Sequence, residues 1–317
     1  MFIHRLSLGL IFIALLLSGC GRSIYVKDIV KEDNIPEYEI YKTIDNHNLK
    51  LYVFYPPEYR ESDRRTAVVC IHGGGFSSGN PNLFFPHCRY FAKRGAVTFS
   101  VNYRLTKPHE STVYDCLADC KSAIRYIRTH AEKLGIDPNR VAVLGDSAGG
   151  HLAACLGTNM GIDNPGDDLS VSPVANVVIM CNPVADMTVP PATKMEIPGI
   201  AKETTDNALR YGPTTEERAR RISPIHNVVP NQSPSLLMHG EEDSNVPIEQ
   251  ANRYYEAMKN AGNDITYYPL EGVHHAFVLP GYGTEETVVT ALQKADEFLV
   301  SQGFLKGRPQ IRLLDDK

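Results

Sequence analysis

Short, unbroken apolar runs, each followed by a stretch with helical period, restrict the fold of this chain more than any other feature. Ala67–Ile71 reads AVVCI and Val141–Leu144 reads VAVL, while Val174–Met180 and Ser235–His239 are apolar over most of their length. Runs of this length with no polar alternation suit strands covered on both faces. Val97–Tyr103 and Ile265–Leu270 read as further strands, and Tyr38–Ile44 with Leu49–Tyr55 as a strand pair turning at Asp45–Asn48. Between them lie helical patterns over Leu83–Arg94, Val113–Leu134, Ala148–Leu156, Pro247–Ala261 and Glu285–Ser301. In the second of these Leu117, Ala118, Ile124, Ile127 and Ala131 keep the period, and Gly135 follows as a C-terminal glycine. Such alternation predicts an α/β fold with a mostly parallel central sheet and helices on both faces. With 24 Gly, 21 Pro and no Trp, a helical bundle is disfavoured, and a formal net charge of −5 leaves no electrostatic footprint for nucleic acid.

The ends carry separate signals. Residues 1–19 place Arg5 ahead of an apolar stretch from Leu6 to Leu17, too short to span a bilayer comfortably and suited to a signal peptide. The stretch ends in Leu17-Ser18-Gly19-Cys20, which resembles the lipobox of bacterial lipoproteins. Cleavage before Cys20 would leave that cysteine to take the lipid, and several acyl chains on one residue anchor a protein stably. The expected location is the bacterial cell envelope, lipid-anchored, at the periplasmic face or cell surface. A plain secretory signal or a short anchor helix is the alternative. Residues 20–36 read as a lipidated tether, 37–302 as the α/β domain and 303–317 as a polar tail that frays. Within the domain, residues 186–229 break the strand–helix rhythm and read as a small lid, or as an ordinary surface excursion. Of the other cysteines, Cys70, Cys155 and Cys181 sit in apolar runs and read as small hydrophobes. Cys88, Cys116 and Cys120 show no metal-ligand spacing.

Chemistry concentrates after the strands. Gly145-Asp146-Ser147-Ala148-Gly149 fits G-x-S-x-G, follows VAVL and opens a helix, the context in which a serine hydroxyl projects from a sharp turn. The helix N-terminus favours a developing anion. His72-Gly73-Gly74-Gly75 follows AVVCI, giving a loop whose backbone N–H groups can be approached closely. No Gly-Lys-Ser/Thr follows, so a phosphate loop is excluded, and no G-x-G-x-x-G opens a helix there. A nucleophilic serine needs a base and an orienting acid. Asp243 lies in the loop after the strand ending at His239, and His275 follows the strand ITYYPLEG, giving the order Ser147, Asp243, His275. All three fall after strand ends, where open α/β sheets bind ligands. His72, His151 and His239 read as braces, and Asp146 as fixing the turn rather than titrating.

Taken in order, HGGGF, VNYRL, GIDPNRVAVLGDSAGGHLA, HGEEDSNVP and GVHHAF resemble the α/β-hydrolase esterases of the hormone-sensitive-lipase-like branch and bacterial acetyl xylan and feruloyl esterases. The similarity runs from about Leu49 to about Ser301. It implies the α/β-hydrolase fold, Ser147 as nucleophile, Asp243 as acid and His275 as base. It also implies an oxyanion hole from the backbone of Gly74, Gly75 and Ala148, and no metal or organic cofactor. Two positions depart from the pattern: His274 stands where glycine is frequent, and Glu241 and Glu242 neighbour the acid.

The reaction expected is two-step ester hydrolysis on a small ester or acylated sugar. The short polar insertion and the envelope address point to acetyl or feruloyl groups on carbohydrate. A general short-chain carboxylesterase or lipase, or a catalytically silent binding module on the same fold, stands as the alternative. Peptidases of the prolyl-oligopeptidase type share G-x-S-x-G-G but resemble chains with an N-terminal propeller, for which 317 residues leave no room.

Overall fold

A computed structural model describes residues 23–31, 36–44, 46–107, 109–189 and 216–314. The signal segment, Cys20 and most of the expected lid lie outside them. The central sheet has eight strands: β2 (Glu37–Ile44), β3 (His47–Phe54), β4 (Arg65–Ile71), β5 (Val97–Val101), β6 (Ile136–Asp146), β7 (Val177–Cys181), β8 (Ser235–Gly240) and β9 (Ile265–Leu270). Their order is β2-β3-β5-β4-β6-β7-β8-β9. Only the β2–β3 and β3–β5 pairs are antiparallel; the rest run parallel. This is the α/β-hydrolase architecture expected.

The continuous apolar runs are explained by where their alternate residues go. Ala67, Val69 and Ile71 of β4 and Val141 and Val143 of β6 enter one core layer, beneath α3 (Val113–Thr129) and α4 (Ala148–Cys155). Val68, Cys70, Ala142 and Leu144 enter the other. That layer lies against α2 (Phe85–Lys93) and α7 (Glu285–Ser301). With helices on both sides no strand position is left for polar alternation. The shorter helices α5 (Glu216–Ile222) and α6 (Ile248–Asn260) complete the described set, with Tyr254 and Met258 of α6 in the first layer. All six cysteines among the described residues are free and buried.

Two boundaries differ from the sequence reading. Helix α3 ends at Thr129, not Leu134, because the chain turns at once toward β6: Ile136 N–H donates to Ala131 O at 3.0 Å. Strand β6 then begins five residues before its apolar run, since Ile136 already pairs with Arg65.

The tether and the fraying tail are also corrected. Ile24–Tyr25 (β1) pairs in parallel with Ile311–Arg312 (β10). The short helix α1 (Val26–Val30) buries Ile29 completely, and its carbonyl accepts from Arg89 Nη1 at 2.9 Å. Ile24, Ile29, Leu305 and Ile311 all join the second core layer. Residues 24–30 and 303–312 therefore belong to the domain. Each contributes only isolated apolar residues, without the period that marks an element in sequence, and they bury surface only by meeting one another.

Candidate active site

The loops after β4, β6, β7, β8 and β9 leave the same end of the parallel sheet and meet there. Ser147, between β6 and α4, has φ 56° and ψ −119°, outside the region an L-residue adopts readily. Strain of this kind persists only where the surroundings over-determine it. Here the surroundings are two backbones packed so tightly that side chains cannot enter. A Cβ on Gly145 would lie 2.1 Å from Gly149 O, and one on Gly149 would lie 2.1 Å from Ile71 O. Ser147 N–H donates to Cys181 O at 2.9 Å, fixing the turn to the end of β7.

Ser147 Oγ lies 2.9 Å from His275 Nε2, and His275 Nδ1 lies 2.6 Å from Asp243 Oδ2. An ionised carboxylate can only accept, so Nδ1 carries the proton and Nε2 is left to accept from the serine hydroxyl. Asp243 is itself held fast: Oδ1 accepts from Asn245 N–H at 2.8 Å and Val246 N–H at 2.9 Å. Burial works against its ionised form, yet the hydrogen bond and charge of His275, with the Val246 N–H bond, keep its carboxyl below the usual range. For His275 burial opposes the charged form, but the hydrogen bond and charge of Asp243, with the charge of Asp146, lift it above the ordinary imidazole value. An imidazole so placed can take the hydroxyl proton and hold it as a stabilised cation.

Of the remaining histidines, His239 borders this chain, its Nε2 lying 3.4 Å from Asp243 Oδ2. His274 faces solvent and lies 3.5 Å from Glu242, itself exposed. His239 Nε2–H donates to Val246 O at 2.8 Å. His151 bonds Val184 O at 2.7 Å and meets the Phe76 ring edge-on at 5.2 Å. His72 stacks on Tyr103 with ring centres 4.4 Å apart. Burial drives His72 and His151 down to about 4, so both are neutral braces at ordinary pH.

The glycine loop after β4 abuts the serine turn: a Cβ on Gly73 would sit 2.8 Å from Asp146 O and 3.1 Å from Ser147 Cβ. Gly74 has φ 119°, and its carbonyl accepts from Ser77 N–H and Ser78 N–H, closing the loop. Neither those bonds nor the backbone bonds of the serine turn use the N–H groups of Gly74, Gly75 or Ala148. Backbone N–H groups in such a loop and at such a helix start are the kind of donor an oxyanion requires. Among the described residues no cluster of His, Cys, Asp or Glu could hold a metal ion.

Asp146 differs from its sequence reading. It does brace the turn, accepting from Asn182 Nδ2 at 3.1 Å, but burial also raises its carboxyl to about 6, against the opposing charge of His275 and that bond. Asn182 carries little mark of this role in the sequence. It is a buried residue with φ 44° directly after β7, and its one sequence signal is an amide ending the apolar run VVIMC before Pro183.

The flanks of the expected lid that fall among described residues are joined. Met187 N–H donates to Ser223 Oγ at 2.7 Å and Ile225 N–H to Ala185 O at 3.1 Å. Asp186 lies 2.9 Å from Arg253 and 3.3 Å from His226.

Comparison with known proteins places this geometry in context. The sequence profile of the BD-FAE family matches residues 51–258. Esterase LipC of Mycobacterium tuberculosis is 30% identical over 222 residues, covering 67% of this chain and 53% of that protein. An acetylxylan esterase of Xylanibacter ruminicola is 28% identical over 243 residues, covering 76% of this chain and 45% of that protein. The chain thus spans about half the length of these two relatives. Among solved structures, Thermogutta terrifontis esterase 2 phosphonylated by sarin is 38% identical with a TM-score of 0.78, covering 87% of this chain and 98% of that one. The same esterase with propionate bound is 39% identical with a TM-score of 0.76, covering 86% and 97%.

Proposed function

Since the chain belongs to the BD-FAE family and has the fold of the α/β-hydrolase esterases, we propose that it is a serine carboxylesterase for short acyl esters, with Ser147, His275 and Asp243 as its catalytic residues. The observation that carries this is the unbroken hydrogen-bonded chain from Asp243 through His275 to Ser147, at 2.6 and 2.9 Å, on a strained turn at the sheet's carboxyl end.

In the proposed reaction His275 Nε2 takes the Ser147 proton as Oγ attacks the ester carbonyl. The tetrahedral oxyanion is received by the N–H groups of Gly74, Gly75 and Ala148, each such donor contributing about 3–4 kcal/mol. Imidazolium, steadied by Asp243, passes the proton to the departing alcohol. Water then enters, gives its proton to His275 and attacks the acyl-enzyme, and the carboxylic acid leaves as Ser147 recovers its proton.

Two substrate readings are supported by different relatives. Thermogutta terrifontis esterase 2 has been seen with propionate, which favours a general short-chain ester. The acetylxylan esterase relative favours acetyl groups on carbohydrate, the alcohol we propose, with feruloyl esters as the bulkier variant. We further propose that residues 1–19 direct export and that Cys20 carries a lipid, on the strength of the Leu17-Ser18-Gly19-Cys20 sequence. The test compares residues 21–317 with Ser147→Ala on acetylated xylan, methyl ferulate and p-nitrophenyl acetate, butyrate and octanoate. Acetate release from xylan supports the carbohydrate reading; turnover of p-nitrophenyl acetate and butyrate alone leaves a general esterase. Preference for octanoate refutes the short-acyl assignment.

A further inference from the structure

We propose that Asn182 is a positioning residue that ties the nucleophile turn, through the Asp146 carboxyl, to the acid loop. This rests on the reading of Ser147, His275 and Asp243 as catalytic. Asn182 is fully buried, and its amide is used at both ends. Nδ2–H donates to Asp146 Oδ1 at 3.1 Å, and Oδ1 accepts from Gly240 N–H at 3.3 Å. Its own N–H donates to Met238 O at 2.9 Å, securing it to β8.

Each end of this amide reaches a segment that carries a different catalytic residue. Asp146 immediately precedes Ser147. Gly240 opens the acid loop, where Asp243 N–H donates to Gly240 O at 3.2 Å. The His275 loop is clamped to the same point: Glu242 N–H donates to Val273 O at 3.0 Å, and a Cβ on Gly240 would lie 2.2 Å from that oxygen. Asn182 therefore sits where the loops after β6, β8 and β9 join. Its φ of 44° is one of the uncommon left-handed conformations among non-glycine residues, shared near the site by Phe76, Ser147 and Ala276. Asparagine tolerates that region better than most residues, and glycine tolerates it freely.

The electrostatic consequence follows from the Asp146 bond. The charges that act on His275 are those of Asp243 on the acid loop and Asp146 at the end of β6, which favour its cation, with His239 on β8 opposing it. Removing the Asn182 donor leaves the buried Asp146 carboxylate without its hydrogen bond, which favours the protonated form. Loss of that negative charge makes imidazolium less favourable and lowers the pH at which His275 becomes a competent base.

The discriminating variant is Asn182→Gly, which removes both side-chain bonds while accepting the backbone conformation. With p-nitrophenyl acetate, kcat is expected to fall on the order of tenfold to a hundredfold with little change in KM, as for a small misplacement of reacting groups. The acidic limb of kcat/KM is expected to move to lower pH. Asp146→Asn, which removes the charge and keeps the shape, moves the limb the same way, and the double variant moves it no further. An unmoved limb in folded Asn182→Gly overturns the proposal whatever happens to kcat, because a merely structural residue would leave it in place. If Asn182→Gly does not fold, Asp146→Asn carries the test, and an unmoved limb there overturns it equally. Ser147→Ala run in parallel separates the two readings: full activity in that variant defeats the catalytic assignment itself, whereas its inactivity beside an unaffected Asn182→Gly defeats only the positioning role.

Discussion

Replacing Asp243 by Asn tests the hydrogen-bond logic of the site more sharply than removing the side chain. Oδ1 of Asp243 accepts from two backbone N–H groups, at 2.8 and 2.9 Å. An amide at this position must put its oxygen there, since an NH2 group facing two donors would be repelled. Its NH2 is then forced to the Oδ2 position, 2.6 Å from His275 Nδ1. That reverses the bond: Nδ1 becomes the acceptor, the imidazole proton moves to Nε2, and Nε2 can no longer take the Ser147 proton. Trapping the wrong tautomer in a Ser-His-Asp site lowers kcat by about 10⁴, equivalent to about 5.4 kcal/mol of barrier. The fold should not suffer, because a buried carboxylate gives way to a neutral group of equal size. The assay is steady-state hydrolysis of p-nitrophenyl acetate with a thermal unfolding curve for each protein. Asp243→Asn retaining more than about a tenth of wild-type kcat, where the tautomer argument requires about 10⁴-fold loss, would refute the reasoning.

Three further outcomes follow from the same geometry. Because His275 is raised above the ordinary imidazole value and acts when neutral, kcat/KM should fall on the acid side with a midpoint above 6.5, and a pH profile with its midpoint below that value contradicts this. Gly149→Ala would press a Cβ to 2.1 Å from Ile71 O; thermal unfolding should show a loss of about 3 kcal/mol or more, in the range of severe overpacking, and an unchanged midpoint would mean the turn is looser than described. Ile311→Ala removes a fully buried side chain from the β1–β10 pair; a loss of roughly 2–5 kcal/mol is expected, and none at all would return the tail to a frayed state.

What could be read in the sequence was whatever depends on local pattern. AVVCI and VAVL declare strands because both faces are covered, and G-x-S-x-G between a strand and a helix declares its own turn. Chain order then singled out Asp243 and His275. What escaped depends on meetings between distant residues. Ile24 and Ile311 have no periodic neighbours and form β1 and β10 only by pairing with each other. Asn182 looks like an ordinary residue ending a strand; its importance lies in Asp146 and Gly240, which β6 and β8 bring to either side of it. Asp146 likewise gives no sign in the sequence of its raised carboxyl, because burial arises only once the sheet is assembled. The end of α3 is not legible because His130–Leu134 keeps an apolar spacing that serves a turn as well as a helix.

The central claim is that Ser147 is the nucleophile, and the most direct test is covalent. Incubation of the protein with paraoxon, followed by intact and peptide mass spectrometry, should give one phosphoryl adduct per chain on the peptide containing Ser147, with parallel loss of p-nitrophenyl acetate hydrolysis. Ser147→Ala should take up none. An adduct on another residue, or hydrolysis that survives complete labelling of Ser147, would contradict the account.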